Sequence, residues 1–411
     1  MSNYSVSPPS TSPSISTSIN NNFASVSSSP SASINNNLAT PIKNSVSSIN
    51  NNLAKSVKNS VSSINNNLDK SIKNSVATTP DSMSKGTLLM IIIIIFVLAL
   101  IAYFISKSYR VGTAYENLKM YDNYFILSAN YLQNETLQSK PLKNFYVASA
   151  FRPYMAINQY FDYTSTKLIQ KVIMSGARFV YMDVYNSNLK FNPSPVVSNG
   201  FEKGNWKLTL NTTTFDEMCK VIAYTAFNAG YCNNYNDPFF LALNLNVNNN
   251  VICLNKIRNI IYKHFKHTLL PPEFGSLKQN LAETSIKKLM SKLVLITSSG
   301  YQDSQLTELI NGSWEDKSKI NLINYGALDP KASADNTIKL QNEEVVAYNK
   351  KALTIVTPNI YDFFTMNYNS SYEFDAGCQF ICVNYQKKNN ISDYISRFKT
   401  SSFVLKPDNL I

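Results

Sequence analysis

Residues 168–186 read LIQKVIMSGARFVYMDVYN. Leu168, Ile169, Val172 and Ile173 recur at the three-and-four spacing of one helix face, which predicts a helix over 165–176 that stops at Gly176. The run from Ala177 to Tyr185 is aromatic and β-branched, the composition of a strand. A helix feeding directly into a strand is half of an α/β repeat.

Outward from this unit the alternation continues. Strands are predicted at 144–149 (NFYVAS), 238–246 (PFFLALNLN), 292–299 (KLVLITSS), near 363–368 (FFTMNY), at 378–386 (CQFICVNYQ) and at 402–407 (SFVLKP). Helices fall between them, near 251–267, 343–353 and 391–398. TFDEMCKVIAYTAF opens with Thr214 and has Glu217 three residues on, a capping-box pattern. Strand–helix alternation predicts a parallel sheet. About eight units in roughly 270 residues fit an α/β fold of the TIM type, a closed (β/α)8 barrel. Chemistry in such barrels sits at the C-terminal strand ends. The positions to question are therefore Ala148–Arg152, Asp183, Ser198–Gly200, Asn244–Asn246 and Ser298–Ser299. Most are neutral or amide side chains, a thin set for acid–base catalysis.

The rest of the chain is different in kind. It has 411 residues and a net charge of +12. Residues 1–85 are dominated by Ser, Asn, Thr and Pro and cannot bury enough apolar surface to offset ordering entropy, so they read as a low-complexity N-terminal tail. SINNN recurs at Ser18, Ser33, Ser48 and Ser63, with apolar residues at Val46, Ile49, Leu53, Val57 and Val61 on one helical face. Two readings stand: a disordered tail, or a weak stalk that self-associates through the repeats. Thr87 to Ile105 is 19 residues without a charge, the length of a transmembrane helix. It is too long and too far from the start for a cleaved signal. Lys70, Lys73 and Lys85 on one side balance Lys107, Arg110 and Lys119 on the other, so orientation is open. The five cysteines, Cys219, Cys232, Cys253, Cys378 and Cys382, suggest neither a zinc site nor a disulfide framework and read as small buried hydrophobes. The positive charges are scattered and no nucleic-acid motif occurs, so anionic phospholipid head groups are the expected partner beside the membrane.

The order of segments is similar to a known family. LIQKVIMSGARFVYMDVYN, PVVSNGF, TTFDEMCKVIAYTAF and DPFFLALNLN resemble the X half of the phosphoinositide-specific phospholipase C barrel. VVAYNKKALTIVTPN, AGCQFICVNYQ and YISRFKTSSFVLKP resemble its Y half. The resemblance implies this layout: tail 1–85, transmembrane helix 86–106, membrane-proximal linker 107–142, X-like half 143–300, X–Y linker 301–340 and Y-like half 341–411. The family's reaction is attack of the inositol 2-hydroxyl on phosphorus, with two histidines and a calcium ion.

Carried over by motif, Phe151 stands for the first histidine and Arg152 for a calcium-ligand Asn. Tyr181 stands for a ligand Glu, Asp183 survives as the ligand Asp, and Asn244 takes the place of the last Glu. Asn199 stands for the second histidine, and Ile296 and Ser298 for head-group lysines. Tyr154 and Tyr368 are kept, and Arg397 matches the family's head-group arginine; Tyr368, Arg397 and Arg152 are the candidate head-group contacts, Arg152 either neutralising a phosphate or pairing with Asp183. The resemblance thus implies a lost calcium site, no cofactor and a membrane-anchored pseudoenzyme acting in binding or architecture. The alternative is an active phosphodiesterase using Asp183, Arg152, Glu202 or Arg397 in a new way; a purely structural membrane component is the third reading. Of other candidates, His264 and His267 read as part of a solvated basic helix face rather than a metal site, and Glu202–Lys203 as an unremarkable neighbour pair.

Overall fold

The computed structural model describes residues 85–124, 128, 131–189, 191–201, 206–275, 279–315, 322–326, 343–359 and 366–411. The repeats, Glu202 and Lys203 lie outside them. The chain divides into two units, Met1–Ile94 and Ile95–Ile411. The first contributes only the opening of helix α1, Lys85–Leu118, to the described residues.

The second unit holds the alternation expected from sequence. In chain order come β1 (Phe145–Phe151), α2 (Thr166–Met174), β2 (Phe179–Asn186), β3 (Pro195–Val197), α3 (Phe215–Ala226), β4 (Phe239–Asn246), α4 (Val251–Phe265), β5 (Leu293–Thr297) and β6 (Gly312–Ser313). Then follow β7 (Leu322–Gly326), α5 (Glu343–Asn349), β8 (Leu353–Thr357), β9 (Phe380–Val383), α6 (Ser392–Arg397) and β10 (Phe403–Leu405). Local signals set the boundaries. Gly176 has φ 99°, the left-handed turn that ends α2. Thr214 and Glu217 form the reciprocal capping box at the start of α3.

Eight strands pair in the order β7-β8-β9-β1-β2-β4-β5-β6, every neighbour parallel. β3 and β10 attach antiparallel to β2 and β1. The sheet is curled. Leu353 and Ile355 of β8 share a cluster with Val294 and Ile296 of β5, yet five strand spacings of ~4.8 Å would hold them about 24 Å apart in a flat sheet. Alternation along each strand makes the curl possible. Phe145, Val147, Phe151, Phe179, Tyr181, Phe240, Ala242, Phe380 and Cys382 point inward and fill it. Ala148 and Ala150 face the outer layer, as do Val180 and Met182. All five cysteines are buried and unbridged.

Four expectations shift. The helix predicted over 343–353 ends at Asn349, because the β-branched LTIVT that follows is strand β8. FFTMNY lies partly outside the described residues, and its described part, Met366–Tyr368, is not strand. Within 301–340, read as a linker, a 3₁₀ turn (Gln305–Leu309) and strand β6 pack with Tyr301, Leu306 and Ile310 buried, and β7 pairs with β8. Helix α1 also outruns the apolar segment: Val111, Ala114 and Leu118 continue at helical spacing and pack on the layer outside β1. The start of the segment read as a membrane-proximal linker is thus helix seated on the α/β unit.

Candidate functional site

The parallel register brings the inward positions of neighbouring strands level. Phe151 pairs with Tyr181, Asp183 with Asn244, and Ala242 with Ile296. Phe151, Arg152, Tyr181, Asp183 and Asn244 thereby meet at one strand end, and Asn199, just past β3, joins them through Gln159. Sequence reasoning placed these six together.

What they build is a closed polar cluster. Arg152 is 1% exposed and Asp183 0%. Arg152 Nε donates to Asp183 Oδ2, and its Nη1 to Gln159 Oε1 at 2.5 Å. Asn244 Nδ2 donates to Asp183 Oδ1 at 2.7 Å, and the Tyr154 hydroxyl lies 3.2 Å from Oδ2 while donating to Ser198 O at 2.9 Å. Asn199 Nδ2 donates to Gln159 O and, at 3.0 Å, to Gln159 Oε1. Its Oδ1 accepts from Gly200 N at 2.8 Å. Burial by itself disfavours the charge on Arg152, but the Asp183 carboxylate, helped by the surrounding tyrosines, reverses this and raises its pKa overall. Burial first, and then Asp183, push the Tyr154 hydroxyl well above its ordinary range, so it stays a donor.

Arg152 reaches Asp183 from a left-handed backbone, φ 45°, a conformation that costs a residue with a Cβ about 1–2 kcal/mol. Its guanidinium lies 4.6 Å from the Phe151 ring centroid. Phe151 and Tyr181 pack at 5.3 Å, and Tyr181 stacks on Trp314 at 5.7 Å. The inward end of the sheet is therefore capped by one ion pair and three aromatic rings.

This donor set does not fit the calcium ion that the resemblance implies. Calcium wants six to eight oxygens with several carboxylates. Among the described residues Asp183 is the only carboxylate in the cluster, both its oxygens are committed, and a guanidinium occupies the neighbouring position. Nor do Asn199 or Phe151 offer a group that takes a proton near neutral pH. The chemistry available is hydrogen bonding and packing.

Other expected residues fall elsewhere. Arg397 closes α6 and stacks over Phe374 (4.2 Å) and Tyr146 (5.4 Å), near the start of β1 and away from Arg152. The reason is topological: a helix after a strand runs back to the opposite end of the sheet. The Tyr368 hydroxyl donates to Cys382 O at 2.9 Å, within the wall. His264 pairs with Asp216 at 2.9 Å, beside Lys263, not with His267. Among the described residues no three His, Cys, Asp or Glu side chains are grouped to hold a metal. Sequence reasoning missed Gln159, which joins Arg152 to Asn199, and Trp314. Gln159 has no local signal; Trp314, one of two tryptophans, sat in the supposed linker.

Comparison with known proteins bears on this geometry. Residues 138–299 match the family model of the phosphatidylinositol-specific phospholipase C X domain. An 81-residue stretch is 30% identical to human 1-phosphatidylinositol 4,5-bisphosphate phosphodiesterase eta-1 and 28% identical to the mouse protein. It takes in 19% of this chain and 5% of each relative. Crystal structures of PLC21 from S. officinalis and L. pealei superpose with TM-scores of 0.54 and 0.53 at 17% and 18% identity, covering 66% of this chain and 38% of theirs. At that identity the likeness is one of fold. The curled parallel sheet is an α/β fold of the type these two structures have. The family-model match takes in less than half of the chain.

Proposed function

We propose that the protein is a membrane-anchored phospholipase-C-like barrel that binds or scaffolds rather than hydrolyses. One observation carries this: the buried Arg152–Asp183 pair, with every hydrogen-bonding atom of the carboxylate taken by Arg152, Tyr154 and Asn244, plugs the place where the family's chemistry belongs. A general base, a general acid and charge stabilisation are needed to move the inositol hydroxyl's proton and expel the lipid. Among the described residues of the cluster the one carboxylate is held by the one guanidinium. In this reading Phe151, Arg152, Tyr181, Asn199 and Asn244 stand where catalytic and calcium-binding groups once stood, β6 and β7 close the ring, and residues 341–411 complete it as the Y-like half. Thr87–Ile105 crosses the bilayer. Support for the crossing is the length and apolarity of α1, whose apolar window is 0% buried. The N-terminal repeats are the candidate for self-association, and anionic lipid the candidate ligand.

The test is release of inositol phosphate from phosphatidylinositol and its bisphosphate by the full chain in mixed vesicles, with and without Ca²⁺. No turnover is expected. Turnover that Asp183→Asn abolishes supports the alternative, an active phosphodiesterase with non-standard residues, and sinks the proposal.

A further inference from the structure

Outside the sheet lies a cavity of about 1040 Å³ that the closed cluster does not use. One wall is the second half of α1, with Phe104, Lys107 and Val111. The other is α2 and the loop before α3, with Lys167, Met174 and Thr212. Arg110 holds the walls together: it pairs with Asp162, whose carboxylate also accepts from the backbone N–H groups of Ile157 (3.1 Å), Asn158 (2.8 Å) and Tyr163 (2.9 Å).

The lining is chemically asymmetric. Its acids are committed: Glu116 pairs with Lys119, and Glu217 closes the capping box with Thr214. Lys171 is likewise committed to Asp122. Lys107 and Lys167, one on each wall, have no carboxylate partner among the described residues. Free charge in the cavity is therefore positive. Beside it, Phe104 is 62% exposed and Met174 41%, so an apolar patch adjoins the cationic one.

Position selects among anions. The uncharged run ends at Ile105, and Lys107 is the first charge beyond it. At 1.5 Å rise per residue, Lys107 stands about 3 Å past the hydrocarbon edge, at head-group depth, with Phe104 just below. We propose that this cavity binds an anionic glycerophospholipid of the surrounding leaflet, its phosphodiester between Lys107 and Lys167 and its upper acyl carbons along Phe104 and Val111. A free phosphate would use the lysines and leave the apolar wall wet; a neutral lipid would use the wall and leave the lysines unpaired. The inference rests on the reading of α1 as a membrane span, and the site is separate from the strand-end cluster.

The experiment reconstitutes the full chain in phosphatidylcholine nanodiscs carrying a minor fraction of phosphatidylserine, then counts retained lipids by native mass spectrometry. The intact chain is expected to retain phosphatidylserine selectively. A basic residue near an anionic surface contributes about fivefold in affinity, so Lys107→Gln/Lys167→Gln should lose about 30-fold. The exposed pair Lys287→Gln/Lys288→Gln, away from the cavity, serves as the control and should change nothing. Soluble glycerophosphoserine should compete poorly; competition equal to the lipid's overturns the lipid assignment in favour of a free phosphate site. A chain that inserts yet retains lipid equally in the double variant overturns the inference and leaves the span intact. A chain stripped from vesicles by alkaline carbonate overturns the span, and the inference with it.

Discussion

Asp183→Asn is the sharpest test of the strand-end cluster. The substitution keeps the shape but removes the charge facing Arg152 and turns one acceptor oxygen into an NH2 donor, where Arg152 Nε and Asn244 Nδ2 both donate. The guanidinium then stays 1% exposed with no opposing charge, left with neutral acceptors such as Gln159 and the aromatic face of Phe151. Breaking one side of a buried ion pair costs about 3–5 kcal/mol. An exposed pair such as Lys263–Asp216, with side chains 61% and 40% accessible, is worth about 0–1 kcal/mol. The gap between these values decides which description holds. Removing both charges with Arg152→Gln/Asp183→Asn leaves two amides able to bond each other, so the double variant should be more stable than Asp183→Asn by about 2 kcal/mol. Urea unfolding of the full chain in detergent reads this, followed by Trp314 fluorescence in a Trp206→Phe background. Trp314 stacks on Tyr181 beside the pair, whereas Trp206 is 67% exposed. A cost below about 1 kcal/mol for the single variant, or strict additivity in the cycle, refutes the buried-pair account.

Asn199→His should yield no inositol phosphate release, since Phe151, Tyr181 and Asn244 are unchanged, and should destabilise the fold by about 1–3 kcal/mol by breaking the bonds to Gln159. Glu373 is 3% exposed with Oε2 unpartnered, and burial raises its pKa from 4.5 to about 7. The folded state thus favours the protonated acid, and its contribution is complete below pH 4.5 and lost as pH rises through about 7. Glu373→Gln should match the parent at pH 4 in urea unfolding and exceed it by about 3 kcal/mol at pH 8; a pH-independent difference contradicts this. Arg110→Ala should leave Asp162 with backbone donors only and loosen the C-terminal half of α1, seen as faster amide exchange over Val111–Leu118 and a stability loss of about 1–3 kcal/mol.

Much of the fold was legible because the governing signals are local. The apolar stripe of α2, Gly176, the Thr214–Glu217 box and the uncharged run of α1 each sit within a few residues. The site's location was legible too, since register follows from strand order, and the six residues in question do converge. What was not legible depends on distance along the chain. Trp314 reaches Tyr181 from 133 positions away, and nothing in its neighbours marks it as core. Arg397 looked like a site residue by motif, but only the direction of α6 says which end of the sheet it serves. The C-terminal half of α1 was hidden because the run before it is so apolar that a linker seemed the natural sequel.

The cluster also argues about its own history. Arg152 is tolerable in the interior only with Asp183 opposite, and Asp183 is tolerable without a metal only with Arg152, Tyr154 and Asn244 around it. Phe151 is tolerable at a strand end because Tyr181 and Trp314 continue its stack. Each residue at a family position is therefore matched to another, and restoring any one singly creates an orphaned charge or a gap. Under the proposed reading, that mutual dependence is why the site cannot be revived by one histidine. It also explains why the cluster persists: once closed, it serves as core, and its loss would be felt as instability rather than as lost turnover.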